Sequence, residues 1–300
     1  MKLLAAFAFV AALAAALPAS AQWGRPFDQL QFLDSSAPSR DWRACTNDEN
    51  RYSTEEIVAA CSTVFETATD ADTRAHALWW RAFVHERTGQ TDRATSDYQA
   101  ALAEFDQLIR EHRSSIDAHF DRATLLISMR EYDRALAGFM IADRMLGRQP
   151  RVRASIGRIA FLRGDYATAI AEFDLADRLA RRSVSAGMVA HNRCEARAAA
   201  GVELDRARTI CDRAVRDSQH HPSVLVSRGF LRFREGDMAG ALEDFQRALD
   251  REPHNPGALY GRATVAARNG QQDAAAADLA RARELSPRTV EYYSNAGMRP

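Results

Sequence analysis

Residues 226–253 read VSRGFLRFREGDMAGALEDFQRALDREP. Two amphipathic stretches flank a glycine turn here. Ala241, Phe245 and Ala248 follow one another at intervals of four and three residues, which puts them on one helix face. Upstream, Gly229 and Phe230 belong to a second helical stretch that stops at Gly236-Asp237. Glycine readily takes the left-handed conformation that ends a helix, and the aspartate after it suits an N-cap. Pro253 closes the unit, because proline cannot continue a helix. The stretch therefore reads as two antiparallel helices around a small–large–small seam.

The same seam recurs along the chain, which is the mark of a repeat architecture. Ala94, Tyr98 and Ala101 form one set, and Ala135, Phe139 and Ala142 the next. Ala169, Phe173 and Ala176 follow, then Ala207, Cys211 and Ala214, the quoted set, and Ala275, Leu279 and Ala282. The leading alanines are 41, 34, 38, 34 and 34 residues apart. Glycine turns precede most seams, at Gly89, Gly164, Gly201, Gly236 and Gly270, while Arg130 stands in that place in the second copy.

This pattern resembles the tetratricopeptide repeat, in which helices A and B form an antiparallel pair of 34 residues. The family's small residue in helix A matches Ala82, Ala123, Gly157, Gly229 and Ala263. The resemblance implies an all-α, right-handed superhelical solenoid of about six repeats over residues 75–287. A degenerate unit over 41–71 precedes it, with Ser53 or Thr54 capping a helix through Phe65. Extra residues fit a longer second helix through Gln107–His112 and a longer connection around Arg181–Met188. Residues 22–40, with Pro26 and Pro38, read as an extended arm. Residues 288–300 read as a tail whose Thr289–Asn295 segment forms a short helix capping the last repeat.

The N-terminus has the makeup of an export signal. Lys2 precedes the apolar run Leu3–Leu17, and Ala19-Ser20-Ala21 offers a small–x–small cleavage site. The expectation is a cleaved segment over residues 1–21 and a periplasmic or secreted chain without stable membrane insertion. The remaining chain would carry 39 basic and 40 acidic residues, since one of the 40 basic residues is Lys2. That balance argues against nucleic acid, which needs a basic face. Lys2 is also the only lysine, which excludes a phosphate-loop or Schiff-base lysine from the mature chain. The whole chain is similar to exported repeat proteins of alphaproteobacteria.

Catalytic chemistry finds little footing. The eight histidines show no metal-ligand spacing, and His220-His221 falls in an inter-repeat turn. Neither a nucleophile elbow nor a glycine-rich phosphate loop is present. The expectation is a non-catalytic chain with no metal and no cofactor. In this family helix A lines a concave groove, and the resemblance places the partner-contacting residues there. They are Trp79, Phe83, Arg87, Phe120, Arg158, His191, Phe230, Arg234, Tyr260 and Arg268, with Thr124, Ile127, Phe161, Glu195, Phe233 and Thr264 beside them. Aromatics with arginine are the side chains enriched at interface hot spots. The implied function is a scaffold or adaptor of the cell envelope that binds a protein or peptide of unknown identity. Alternatives are an assembly factor for peptidoglycan or outer-membrane machinery, and a hydrolase that needs a walled pocket.

Four cysteines allow three connectivities. The repeat register favours two local pairs. Cys194 stands at the small helix A position and Cys211 at the helix B aromatic position. These positions face each other across a hairpin, so Cys194–Cys211 and, by the same register, Cys45–Cys61 are expected as disulfides. Arginine recurs in helix A at Arg81, Arg122, Arg193, Arg228 and Arg262, and acids recur in helix B at Asp97, Glu172, Asp244 and Asp278. The expected pairing joins neighbouring repeats, as Asp97–Arg122, Glu172–Arg193 and Asp244–Arg262.

Overall fold

The computed structural model describes residues 39–47, 52–147, 149–180 and 186–300, and all regular elements among them are helices. The expected signal segment 1–21 and the arm through residue 38 lie outside the described residues. The first hairpin joins α1 (Arg40–Thr46) to α2 (Thr54–Thr67). Ser53 caps α2 by a reciprocal bond with Glu56: Ser53 Oγ accepts from the Glu56 amide at 3.3 Å, and the Ser53 amide donates to Glu56 Oε2 at 2.8 Å. Six further hairpins follow. They are α3 (Ala71–Arg87) with α4 (Thr91–Glu111), α5 (Ile116–Ser128) with α6 (Tyr132–Leu146), and α7 (Pro150–Leu162) with α8 (Tyr166–Ala180). Then come α9 (Ala186–Ala200) with α10 (Leu204–Asp217), α11 (Pro222–Arg234) with α12 (Met238–Arg251), and α13 (Pro256–Arg268) with α14 (Gln272–Leu285). Each hairpin packs on the next, so the chain forms a solenoid of six repeats behind one degenerate unit.

The turns show why the sequence repeats as it does. Gly89, Gly164, Gly201, Gly236 and Gly270 all adopt positive φ, between 68° and 83°. Arg130 takes the same conformation at φ 61°, so the missing glycine changes the strain at that turn and not its shape. Asp237 and Asp165 cap the following helices through the Gly240 and Thr168 amides, at 2.9 and 3.1 Å. The turns after Gly89 and Gly270 lack such a cap, since glutamine occupies the N-cap there. The extra residues of the first repeat lengthen α4, as expected, whereas residues 181–185 of the α8–α9 connection lie outside the described residues.

Between the helices of a hairpin, the small helix A residue faces the large helix B residue. A Cβ added at Gly229 would meet Phe245 at 2.6 Å, and one at Gly261 of the next helix A would meet the same ring at 2.3 Å. Phe245 is thus wedged between two bare backbones. In the α9–α10 hairpin the two positions are bridged covalently. Cys194–Cys211 spans a Cα separation of 4.9 Å, and Cys45–Cys61 spans 4.6 Å in the α1–α2 hairpin. Both expected disulfides are present.

The expected ion pairs between repeats need correction. Arg81 pairs with Asp97 at 2.7 Å, Arg228 with Asp244 at 2.7 Å and Arg262 with Asp278 at 2.7 Å, each within its own hairpin. Helix A and helix B of one hairpin run antiparallel at the level of the seam, so residues 16 apart meet there. Neighbouring repeats do connect, but to acids further along helix B: Arg122 reaches Asp106, Arg193 reaches Asp174 and Asp177, and Arg228 reaches Asp212. Glu172 turns to Arg153 instead.

The C-terminal segment caps the last hairpin, as expected, and extends beyond it. It forms a helix, α15 (Pro287–Asn295), with proline at its first turn. Besides covering α13, it reaches α11, α7 and α3, which a cap over the last hairpin alone would not. Among the described residues, no helix is long and apolar enough to cross a membrane.

Candidate binding groove

Beyond the adjacent α14, the contacts of α15 fall on odd-numbered helices, which marks these as the inner side of the solenoid. Tyr293 stacks on Phe230 of α11 with ring centroids 4.2 Å apart, and on Tyr260 of α13 at 5.7 Å. Tyr292 meets Phe161 of α7 at 5.4 Å. Arg288 pairs with Glu86 near the end of α3 at 2.8 Å, and Tyr98 donates to the same carboxylate at 2.9 Å. Thr289, Val290, Tyr293, Ala296 and Met298 are buried, while Glu291 and Asn295 are exposed. The concave side is therefore made of helices A, and α15 lies along it.

Beneath α15 the groove is polar as well as aromatic. A cavity of about 20 Å³ is bounded by His191, Glu195, Ser227, Asn255, Thr289 and Tyr293, among others. That is room for about one water-sized group. Glu195 pairs with Arg158 at 3.0 Å, and the Arg158 guanidinium lies 5.1 Å from the Phe161 ring centroid. Burial raises the Glu195 carboxyl above its usual range, against the pull of Arg158. His191 Nε2 lies 3.2 Å from Ser227 Oγ. Burial, with the Arg158 charge second, pushes the His191 imidazole down to about 3. His191 is thus neutral at ordinary pH.

Arg234 fastens the far end. Its guanidinium donates to the carbonyls of Ala198 and Ala199 at 2.6 Å each and to the carbonyl of Ala296 at 2.5 Å. The first two carbonyls end α9 and the third follows α15, so one cation serves the negative ends of two helix dipoles. Burial lowers the Arg234 pKa from its ordinary value.

The ten groove residues named from sequence separate into two groups. Arg158, His191, Phe230, Arg234 and Tyr260 surround α15. Trp79, Phe83, Phe120, Arg87 and Arg268 do not. Trp79 is 1% exposed, meets Phe105 edge-on at 6.3 Å and donates to Ser128 Oγ at 3.2 Å. Phe120 is 6% exposed and packs on Phe139 at 5.2 Å. These two rings form repeat-to-repeat core and offer no surface. Phe230 and Tyr260, each 1% exposed, are likewise covered, in part by Tyr293. Phe83 leans on the α1–α2 hairpin beside Trp80. Arg87 feels the Glu252 carboxylate at the end of α12, and Arg268 is exposed over the Phe233 ring at 5.4 Å. Of the flanking residues, Phe161 and Glu195 belong to the α15 site, whereas Thr264 is fully buried and bonds its own helix.

Sequence reasoning missed Tyr292, Tyr293, Ser227 and Asn255. The first two were legible as an inward stripe with Thr289 and Ala296 at helical spacing, but the stripe does not say which surface it meets. It also missed a cluster at the N-terminal end. Asp72 and His76 of α3 and Asp121 of α5 each bring one ligand-type atom within 4.8 Å of the others. His76 Nδ1 lies 2.8 Å from the Asp72 carbonyl, and Nε2 lies 3.7 Å from Asp121 Oδ2. Burial raises Asp121 to about 7. The trio joins two stacked helices A, and no short sequence motif unites residues from separate repeats.

Comparison with known proteins agrees with the fold. The tetratricopeptide-repeat family model matches residues 87–142 and 228–288. A search of curated proteins finds no match. Among solved structures, a tetratricopeptide repeat protein from Parabacteroides merdae is similar at 15% identity and a TM-score of 0.56, over 82% of this chain and 91% of that one. PilW, described as a widely conserved type IV pilus biogenesis factor, is similar at 17% identity and a TM-score of 0.55, over 72% and 96%. Yeast Tom70 is similar at 14% identity and a TM-score of 0.56, over 91% and 66%. With six stacked hairpins that share one small–large seam, the chain has the fold of tetratricopeptide-repeat proteins, and two stretches of it match that family's model.

Proposed function

We propose that the chain is a non-catalytic interaction scaffold of the cell envelope, holding a protein or peptide segment along its concave side. The observation that carries the reading is the occupancy of that side by a short helix, α15, through aromatic stacking and a guanidinium on its C-terminal end. A surface that holds one helix in this way has the chemistry to hold another. The envelope part rests on the signal-like segment at residues 1–21. Photo-crosslinking in native cells tests both parts, with the crosslinker at Arg268, exposed on α13, and at Met140, 50% exposed on α6, as control. The expected result is one recurring partner captured from Arg268 and not from Met140, in the fraction released by osmotic shock. Capture of the same proteins from both positions, or recovery of the chain only with cytosol, overturns the reading.

A further inference from the structure

The helix α15 spans nine residues and is joined to α14 through Ser286 alone. A helix this short is not stable by itself in water, so its helical form depends on the groove. It is held by two adjacent rings, by Val290, Ala296 and Met298 in the apolar core, and by one carbonyl on Arg234. What it covers is only partly apolar: the Arg158–Glu195 pair, His191, Ser227 and Asn255 lie beneath it, around a cavity of about 20 Å³. Its outer tether, Arg288 to Glu86, is partly exposed at both ends, and such pairs contribute little to stability. A nine-residue helix on a one-residue linker, lying over a partly polar floor, is poised between a docked and a released state.

Resting on the scaffold reading above, we propose that α15 is a reversible occupant of the groove that stands in for the partner. The partner is then a protein segment that presents a short helix with two adjacent aromatic residues and turns its carbonyl end toward Arg234. Release of α15 exposes Phe161, Phe230 and Tyr260 as stacking platforms, with the Arg158–Glu195 pair between them for polar contacts.

The test uses the full chain. Hydrogen exchange on the unaltered protein should show the α15 amides opening at least about 100-fold more readily than those of α11 and α13. Equal protection overturns the proposal, because α15 would then be ordinary core. A fluorescent synthetic peptide of residues 286–300 should bind the Tyr292→Ala/Tyr293→Ala chain at least about tenfold more tightly than the unaltered chain, whose groove is filled. Equal binding overturns it, with circular dichroism confirming that the variant keeps its helices. Exchange of α15 between two copies, seen as a dimer by gel filtration, overturns it as well. The two readings fail separately. A partner captured at Arg268 while α15 stays protected removes this inference and leaves the scaffold, whereas a releasable α15 with no envelope partner does the opposite.

Discussion

The α9–α10 and α11–α12 hairpins solve one packing problem in two ways. In α11–α12, Gly229 leaves its backbone bare so that the Phe245 ring lies against it, and Gly261 leaves room on the other side. The ring also meets Phe230 at 4.9 Å, which carries its packing into the groove. In α9–α10 the corresponding positions are Cys194 and Cys211, joined covalently and packed against Leu231 of the next helix A. The ring solution gains from burial in the folded state, while the disulfide acts largely by restricting the unfolded chain. One hairpin therefore depends on its neighbours and the other on its oxidation state.

The largest effect should come from emptying the ring. Phe245→Ala is expected to cost about 3–5 kcal/mol in urea unfolding, since the cavity cannot close between two rigid helices. A loss below about 1 kcal/mol would mean the ring is not what joins the two helices. Next, Cys194→Ala with Cys211→Ala should cost about 3 kcal/mol in oxidising buffer, and reducing agent should bring the unaltered protein toward the same melting temperature. A sharper version transplants the neighbour's solution: Cys194→Gly with Cys211→Phe should recover part of that loss and remain insensitive to reductant. If the transplant melts below the alanine pair, the two hairpins are not equivalent, and Leu231 is the side chain to suspect.

Smaller effects separate the two sites further. Gly229→Ala adds a Cβ 2.6 Å from Phe245, so a net loss of about 1 kcal/mol is expected even though alanine favours helix. A gain in stability would show that the ring moves freely. The last test uses pH. His191 lies on α9, and Val226 takes its place on α11. The folded pKa of His191, about 3, is below its unfolded value of about 6.5, so the unfolded state binds more protons between those values. Stability from this group is full above pH 6.5 and falls as pH drops toward 3. Glu195, whose carboxyl is raised, acts in the opposite sense, and Arg158 and His221 bear on the same ring. His191→Gln should therefore remove about 1 kcal/mol of the stability lost between pH 7 and 5.5, measured by urea unfolding at each pH. An unchanged slope would place His191 in water.

Much of the fold was legible because a repeat states its rule several times. One copy of Ala241-x3-Phe245-x2-Ala248 is an ordinary helix stripe, while six copies define hairpin length, turn and seam. The disulfides followed from that register, since Cys194 and Cys211 occupy positions that meet in every other hairpin. The ion pairs were misassigned for a related reason. The sequence shows that arginine and acid alternate, but whether Arg262 meets Asp278 of its own hairpin or Asp244 of the previous one depends on how far successive hairpins slide. That offset is a rigid-body quantity that no local pattern carries.

The sequence by itself determined the elements, their pairing and the two covalent links, because helix periodicity, turn residues and cysteine register are local properties. Only the tertiary structure decided which helix A aromatics are core, where α15 goes and what lies beneath it. Trp79 and Tyr260 hold the same position on the repeat, yet one is sealed between α3, α4 and α5 and the other lies under Tyr293. The reason is curvature. A solenoid brings its inner face together across residues as distant as Glu86 and Arg288, and that closure sums small rotations over all the hairpins.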